Sequence, residues 1–188
     1  MALIPGVSRA GITITAARFL NFNRYDATKI SFLLSIPALL GASVINLNDV
    51  ILRSISFLKI SLKSKIFFDE NKKQNLILGD EDQLYRVFIN IIKNAEESII
   101  EILNKKPKYE GKIDIDILNN NDYKVIVIKD NGEGISDTKK VMTPYFTTKK
   151  AGTGLGLPIV SKIINEHSGE FVIKKEKGTI IEVWLPSI

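Results

Sequence analysis

Three glycines alternate with other residues in the segment Gly152-Thr153-Gly154-Leu155-Gly156-Leu157-Pro158-Ile159-Val160. The residues that follow keep a helical spacing of apolar side chains as far as His167, so the glycines stand at the start of a helix. A helix start presents unpaired N–H groups and the positive end of the helix dipole, which together bind phosphate. No Gly-Lys-Ser/Thr follows the glycines, which excludes a Walker loop. The segment predicts a phosphate-binding helix start of a different kind.

A second glycine segment follows the predicted strand 125–128 and reads Asp130-Asn131-Gly132-Glu133-Gly134-Ile135. A carboxylate at a strand end can accept a hydrogen bond from an exocyclic amine. Glycines two and four residues later allow the backbone to approach a flat ring closely. Between the two glycine segments lies Pro144-Tyr145-Phe146-Thr147-Thr148-Lys149, an aromatic pair followed by hydroxyls and a cation. Lys149 could add charge-assisted contacts to the same phosphates.

A long helix with one apolar side is predicted to begin at Asp80. Asn90 and Asn94 are four residues apart within it, so their amides project from one face, one turn apart. Amide oxygens can ligate a hard cation, and Mg²⁺ held by few protein oxygens plus phosphates is the usual arrangement. The helix therefore contributes a candidate Mg²⁺ ligand.

The other predicted elements alternate between helices and strands. A helix capped by Asn48 runs through Leu58, and short strands are expected at 66–68 and 76–78. The strands at 113–117 and 125–128 form a hairpin, and two closing strands cover 171–174 and 179–185. Helices packed on one face of a mixed, mainly antiparallel sheet make an α+β sandwich.

In this order, the four motifs resemble those of the Bergerat (GHKL) ATP-binding fold shared by sensor histidine kinases and gyrase. The sequence of residues 152–160 resembles the nitrogen-regulation type of sensor histidine kinase. The resemblance to the fold as a whole covers residues 46–188. It implies phosphoryl transfer from Mg-ATP, with Asn94 as Mg²⁺ ligand and with Asn90 and Lys149 in catalysis. The residues that it implies contact the nucleotide are Asn94, Asp130, Gly132, Gly134, Phe146, Gly152, Thr153, Gly154, Leu155, Gly156 and Thr179.

The resemblance also implies how these contacts are divided. Asp130, supported by Thr179, reads the adenine amine, while Gly132 and Gly134 line the purine. The glycines of the 152–156 segment hold the phosphates and hinge a lid that Phe146 anchors.

The N-terminal segment is of a different character, because residues 1–45 are apolar and carry only five charged side chains. Residues 30–48 contain no charge, a length close to the roughly 20 residues that cross a bilayer as a helix. We expect a short hydrophobic helical fragment that associates with a membrane, at the bacterial cytoplasmic face. The predicted domains are thus 1–45 and 46–188.

Two stretches of this fragment, 5–14 and 32–41, resemble the undecaprenyl-diphosphatase family of membrane enzymes. Ala10 stands where that family has a serine, and the family's glutamate-bearing segment is not among the 188 residues. The resemblance therefore implies a fragment without hydrolytic activity of its own.

The histidine that a kinase of this type phosphorylates normally lies on a separate dimerisation helix. The sequence contains a single histidine, His167, in what resembles the family's helix-terminal His-Gly turn. The implied partners are ATP, a histidine-bearing dimerisation domain in trans and a response regulator. The excess of 26 Lys+Arg over 21 Asp+Glu is dispersed along the chain, which does not favour nucleic acid.

Three alternatives stay open at this point. The chain could be an inactive membrane fragment of an undecaprenyl-diphosphatase, or a non-catalytic nucleotide-binding interaction module. Within the same fold it could also be an anti-sigma serine kinase. Zero cysteines exclude disulfides and thiolate metal sites in every case.

Overall fold

The computed structural model describes residues 43–69, 74–135, 140–143, 145–147 and 153–188. The predicted fragment 1–45, apart from its last three residues, and the predicted site residues Lys149 and Gly152 lie outside the described residues. Within these ranges, no helix combines the length and the apolar character that crossing a membrane requires. The elements in chain order are β1 (Ser43–Asn46), α1 (Leu47–Leu58), β2 (Lys65–Phe68), β3 (Leu76–Gly79), α2 (Glu81–Lys105), β4 (Lys112–Asn120), β5 (Tyr123–Asp130), a 3₁₀ turn (Lys140–Met142), α3 (Gly156–Glu166), β6 (Glu170–Glu176) and β7 (Gly178–Pro186).

The main sheet has five strands in the order β2-β4-β5-β7-β6. β2 runs parallel to β4, and every other neighbouring pair in this sheet is antiparallel. β1 and β3 form a separate antiparallel pair. The sheet is thus mixed and mainly antiparallel, and the predicted β4–β5 hairpin is confirmed, with Asn121 in the left-handed region at its turn.

Helix α2 is the central element of the helical layer. The Asp80 side chain caps it by accepting a hydrogen bond from the Gln83 backbone N–H at 3.0 Å. One side of the helix is completely buried and packs with α1, α3 and the sheet into a single core. Its buried apolar residues are Leu84, Val87, Phe88, Ile91, Ile92, Ala95 and Ile99. This packing confirms the predicted α+β sandwich and places the polar side of α2 beside the start of α3.

A buried carboxylate fastens α2 to the chain that leads into the sheet. Glu96 is 5% exposed, and its Oε1 accepts a hydrogen bond from the Lys63 backbone N–H at 2.6 Å. Its Oε2 accepts from the backbone N–H and the hydroxyl of Ser64. These bonds pair buried oxygen atoms that burial would otherwise penalise, and they fix the segment before β2 against the helix.

The start of the described chain differs from the sequence prediction in two ways. Asn46, not Asn48, caps α1, because the Asn46 side chain accepts from the backbone N–H groups of Asn48 and Asn75. Asn48 is buried instead, and its Oδ1 accepts from Asn75 Nδ2 at 3.0 Å. In addition, β1 begins at Ser43, so the residues just before the predicted boundary at 45 pair with β3.

Candidate functional site

A cavity of about 440 Å³ lies between α2, the end of β5, β7 and the start of α3. Its size falls in the range of about 300–1,000 Å³ that is usual for small-molecule sites. Most of the predicted site residues line it, namely Asn90, Asn94, Asp130, Gly134, Phe146, Thr153, Gly154, Leu155, Gly156 and Thr179. The fold therefore brings residues from the four motifs to one place.

Asp130 is held in a fixed position at the end of β5. Its side chain belongs to a residue that is only 5% exposed, and Oδ1 accepts hydrogen bonds from two backbone N–H groups. The donors are Gly132 at 2.8 Å and Thr179 at 3.3 Å. Thr179 thus supports Asp130 through its backbone, and the bonds orient a carboxylate toward the cavity.

The close approach of β7 to the end of β5 depends on Gly178. This residue has φ +139°, and a Cβ atom there would overlap the Asp130 carbonyl oxygen and lie 2.9 Å from its carbonyl carbon. Gly134 has φ +79°, and a Cβ on it would lie 2.9 Å from the Gly178 carbonyl oxygen. Only glycine fits both requirements at these two positions, so this end of the cavity is built by backbone contact.

Gly132 does not line the cavity but packs behind it, against α2. A Cβ atom on Gly132 would lie 2.8 Å from the backbone carbonyl carbon of Ser98. Gly132 is therefore the residue of this glycine pair that is absent from the cavity lining, and its contact with a purine stays a prediction. Its small size lets the loop after β5 lie on the helix.

The two asparagines of α2 face the first turn of α3. Asn90 Nδ2 donates to the Arg86 carbonyl oxygen at 2.8 Å, so Asn90 Oδ1 points the other way. A Cβ atom on Gly156 would lie 3.3 Å from that Oδ1 and 3.8 Å from Asn94 Nδ2. The residue before the helix, Leu155, has no side chain that could cap it. Amide groups and uncapped backbone N–H groups therefore meet at this end of the cavity.

The aromatic segment is attached to the second glycine segment by its backbone. The Tyr145 N–H donates to the Gly154 carbonyl oxygen at 3.1 Å, and both residues adopt positive φ, 66° and 67°. A Cβ atom on Gly154 would lie 2.6 Å from the Phe146 carbonyl oxygen. Phe146 is among the residues that line the cavity, and its role as an anchor of the segment stays a prediction.

An ion pair closes the loop after β5 onto the last turns of α2. The Lys105 ammonium group donates to the Glu133 carboxylate, which lowers the pKa of Glu133, with a smaller contribution from Glu101. The same bond raises the pKa of Lys105. Glu133 is therefore ionised at neutral pH, and both side chains are solvent-exposed, so the pair contributes little to stability.

Sequence reasoning missed other residues of α2 that line the cavity. Lys93, Glu97, Ser98 and Glu101 do so together with the predicted asparagines. Ser98 and Glu101 follow Asn94 by four and seven residues, a spacing that places them on the same face of the helix as Asn94. This spacing could have identified them from the sequence. Ser98 also bonds to the loop after β5, because its Oγ accepts from the Gly134 N–H at 3.2 Å.

His167 lies at the far end of α3, where it joins the helix to the start of α2. Its Nδ1 is 2.8 Å from the Ile163 carbonyl oxygen, and its Nε2 accepts from the Asp80 N–H at 3.0 Å. These contacts match the predicted helix-terminal turn. Both ring nitrogens are engaged in hydrogen bonds with the backbone, and His167 is not among the residues that line the cavity.

Comparison with known proteins gives two family matches. Residues 79–188 match the family described as Histidine kinase-, DNA gyrase B-, and HSP90-like ATPase. Residues 1–69 match the family described as Bacitracin resistance protein BacA, so this match continues through α1 and β2.

Individual relatives agree with both matches. Sporulation kinase C of Bacillus subtilis is 36% identical over 162 residues, which cover 82% of this chain and 36% of that protein. Undecaprenyl-diphosphatase of Pelagibacter ubique is 48% identical over 104 residues, which cover 49% of this chain and 40% of that protein. The nucleotide-free catalytic domain of histidine kinase ThkA superposes with a TM-score of 0.66 at 26% identity, covering 77% of this chain and 95% of that domain.

The chain spans 36% of the length of Sporulation kinase C and 33% of the length of Sensor histidine kinase ZraS of Salmonella typhimurium. The family model covers more than half of the 188 residues and includes the motifs on α2, after β5 and at the start of α3. The chain therefore belongs to the histidine kinase-, DNA gyrase B- and HSP90-like ATPase family, and its C-terminal part is an ATP-binding catalytic domain of the sensor histidine kinase type.

Proposed function

We propose that residues 46–188 bind ATP with Mg²⁺ and support transfer of its terminal phosphoryl group to a histidine outside these 188 residues. The observation that carries this proposal is the position of the buried Asp130 carboxylate in a cavity whose other end is the start of α3. One end can accept a hydrogen bond from an amine, and the other can donate hydrogen bonds to phosphate.

The spacing of these two ends fits a nucleotide. On α2, Ser98 contacts the loop that follows Asp130, while Asn90 faces Gly156 at the start of α3. Eight residues of helix separate Ser98 from Asn90, a rise of about 12 Å. An extended nucleotide needs a comparable distance between its base and its terminal phosphate. The polar groups present therefore suit Mg-ATP in one orientation.

The roles of individual residues follow from that orientation. Asp130 would hold the adenine amine, and Thr179 and Gly132 would keep its carboxylate in place. The start of α3 would hold the phosphates, with Asn94 as the Mg²⁺ ligand and Asn90 orienting groups beside the terminal phosphate. Lys149, Gly152 and Thr153 are proposed as further phosphate contacts on the sequence motif. Bound Mg-ATP would supply the phosphoryl group, and positioning with charge neutralisation would supply most of the catalysis.

The acceptor is proposed to be a histidine of a dimerisation domain, from which the phosphoryl group passes to a response regulator. His167 is unsuited because Nδ1 bonds to the Ile163 carbonyl oxygen and Nε2 accepts from the Asp80 N–H. No other histidine occurs in the sequence.

Phosphoryl transfer is expected only when an acceptor is added. The full chain would be incubated with Mg-[γ-³²P]ATP, alone and with a separately expressed histidine-bearing dimerisation domain from a related kinase. Acid-labile label is expected on the added domain and not on the chain itself. An added domain with its histidine changed to glutamine is the control. Label on the chain that disappears in His167→Gln would contradict the proposed acceptor, and ATP binding without any transfer would favour a non-catalytic interaction module.

We also infer that residues 1–45 contact a membrane. Residues 30–48 contain no charged side chain, and residues 1–69 match the BacA family, in agreement with the relative undecaprenyl-diphosphatase, which resembles a membrane enzyme. The full chain is expected to float with anionic phospholipid vesicles in a density gradient. The variant Leu33→Asp/Leu40→Asp should stay at the bottom, because a charge within an apolar membrane segment costs about 2.5–3.5 kcal/mol per residue. Equal recovery of both proteins below the vesicles would refute a membrane contact.

A further inference from the structure

Ser98 occupies a junction between α2 and the loop that follows Asp130. Its Oγ accepts a hydrogen bond from the Gly134 N–H at 3.2 Å, and its carbonyl oxygen accepts from the Glu133 N–H at 3.4 Å. Gly132 packs directly on it. The residue also lines the cavity, so it connects the structural support of the loop with the ligand space.

The hydroxyl hydrogen of Ser98 has no acceptor among the described residues. A serine hydroxyl supplies one donor besides its acceptor lone pairs, and in a helix it often donates to the carbonyl four residues earlier. Ser54 of α1 does this, since its Oγ donates to the Val50 carbonyl oxygen at 2.8 Å. Ser98 makes no such bond within the part of the chain that is described, and its one hydrogen bond there uses Oγ as an acceptor. Its hydrogen can therefore be directed into the cavity.

Ser98 and Asp130 face the same end of that cavity. Gly132 joins them, because its N–H donates to Asp130 Oδ1 at 2.8 Å while its Cα side lies against Ser98. This end thus offers an acceptor, the carboxylate, next to a donor, the hydroxyl. Adenine presents the matching pattern, with its amine flanked by the ring nitrogens N1 and N7, which are both acceptors. Guanine presents a carbonyl oxygen and a protonated N1 at the corresponding edge.

We propose that the Ser98 hydroxyl donates a hydrogen bond to the purine ring nitrogen next to the amine, so that two side chains select a 6-aminopurine. The proposal rests on the proposed function, in which Asp130 binds the amine. It makes Ser98 a specificity residue in addition to its support of the Gly134 backbone.

The test compares ATP with two analogues that each lack one ring nitrogen. Wild-type chain and Ser98→Ala would be titrated calorimetrically with Mg²⁺ complexes of ATP, 1-deaza-ATP and 7-deaza-ATP. Ser98→Ala is expected to weaken ATP binding about five-fold, the loss of one neutral hydrogen bond. If the hydroxyl bonds to N1, Ser98→Ala should weaken binding of 7-deaza-ATP by the same factor and leave the affinity for 1-deaza-ATP unchanged. If the hydroxyl bonds to N7, the two analogues should exchange these results. Ser161→Ala, on α3 and away from the cavity lining, is the matched control and should bind all three as the wild type does.

Equal losses for all three nucleotides would overturn the proposal, because they would show that Ser98 acts only by holding the Gly134 N–H. Unchanged ATP affinity in Ser98→Ala would overturn it as well. Wild-type binding of ATP and its loss in Asp130→Asn are measured in the same series. If the folded wild type fails to bind ATP, the proposed function fails together with this proposal, whereas Asp130-dependent binding without the analogue pattern removes only the role of Ser98.

Discussion

Replacing Asp130 by asparagine is expected to weaken ATP binding about 100-fold, the loss of a hydrogen bond to a charged group plus a mismatched donor. The substitution keeps the two backbone hydrogen bonds to Oδ1 and changes only the other oxygen of the side chain. An asparagine Oδ1 can still accept from the N–H groups of Gly132 and Thr179, which now bond to the Asp130 carboxylate. Its other terminal atom becomes an NH₂ group, which would face the adenine amine as donor against donor. The free energy of unfolding should therefore change by only about 1 kcal/mol.

The measurement is a calorimetric titration of the full chain with Mg-ATP, followed by one with Mg-ITP. Inosine carries a carbonyl oxygen in place of the amine, so Asp130→Asn should lose affinity for ATP but not for ITP. Asp122→Asn, in the exposed turn between β4 and β5, is the control and should bind ATP as the wild type does. Unchanged ATP affinity in Asp130→Asn, in a protein with a wild-type melting curve, would mean that Asp130 does not read the base.

Gly178→Ala is expected to lower stability by about 2–4 kcal/mol, as backbone strain and overpacking together do, and to reduce ATP affinity as well. A Cβ atom at this position would overlap the Asp130 carbonyl oxygen and lie 3.1 Å from the Asn131 Cα. All of these neighbours are backbone atoms, so no side-chain rotation can relieve the contact. Separation of β7 from the end of β5 would also lengthen the bond from the Thr179 N–H to Asp130.

Urea denaturation would measure the loss of stability, and a titration at a temperature where the variant is folded would measure ATP affinity. Gly79→Ala is a useful comparison, because a Cβ there would meet side-chain atoms of His167 and Leu84 at 3.0 Å or more. We expect a smaller loss of stability in that variant. A Gly178→Ala protein that is as stable as Gly79→Ala and binds ATP normally would show that the two strand ends need not approach so closely.

Most of the fold could be read from local patterns, because helical and strand periodicities are properties of neighbouring residues. The apolar side of α2 and the alternation in β4 led directly to the observed helix and hairpin. β1 was not predicted, since Ser43–Asn46 is a four-residue strand inside an apolar run and its partner β3 lies about 30 residues later. The Asn46 side chain also accepts from the distant Asn75 N–H, in addition to the local capping bond from the Asn48 N–H. Pairing over such distances leaves no local signal.

For the candidate site as well, some features could be predicted from local sequence and others depend on contacts between distant residues. By itself the sequence determined which chemical groups are present and their order, because glycines, asparagines and an aspartate form recognisable motifs on predicted elements. Only the tertiary structure decided that Gly178 must touch Asp130, that Gly132 supports the loop from behind, and that Ser98 faces the cavity. These relations join α2, β5 and β7, which are far apart in the chain. They arise from the packing of one backbone against another. The identity of a glycine or a serine in the sequence does not specify which distant residues will contact it.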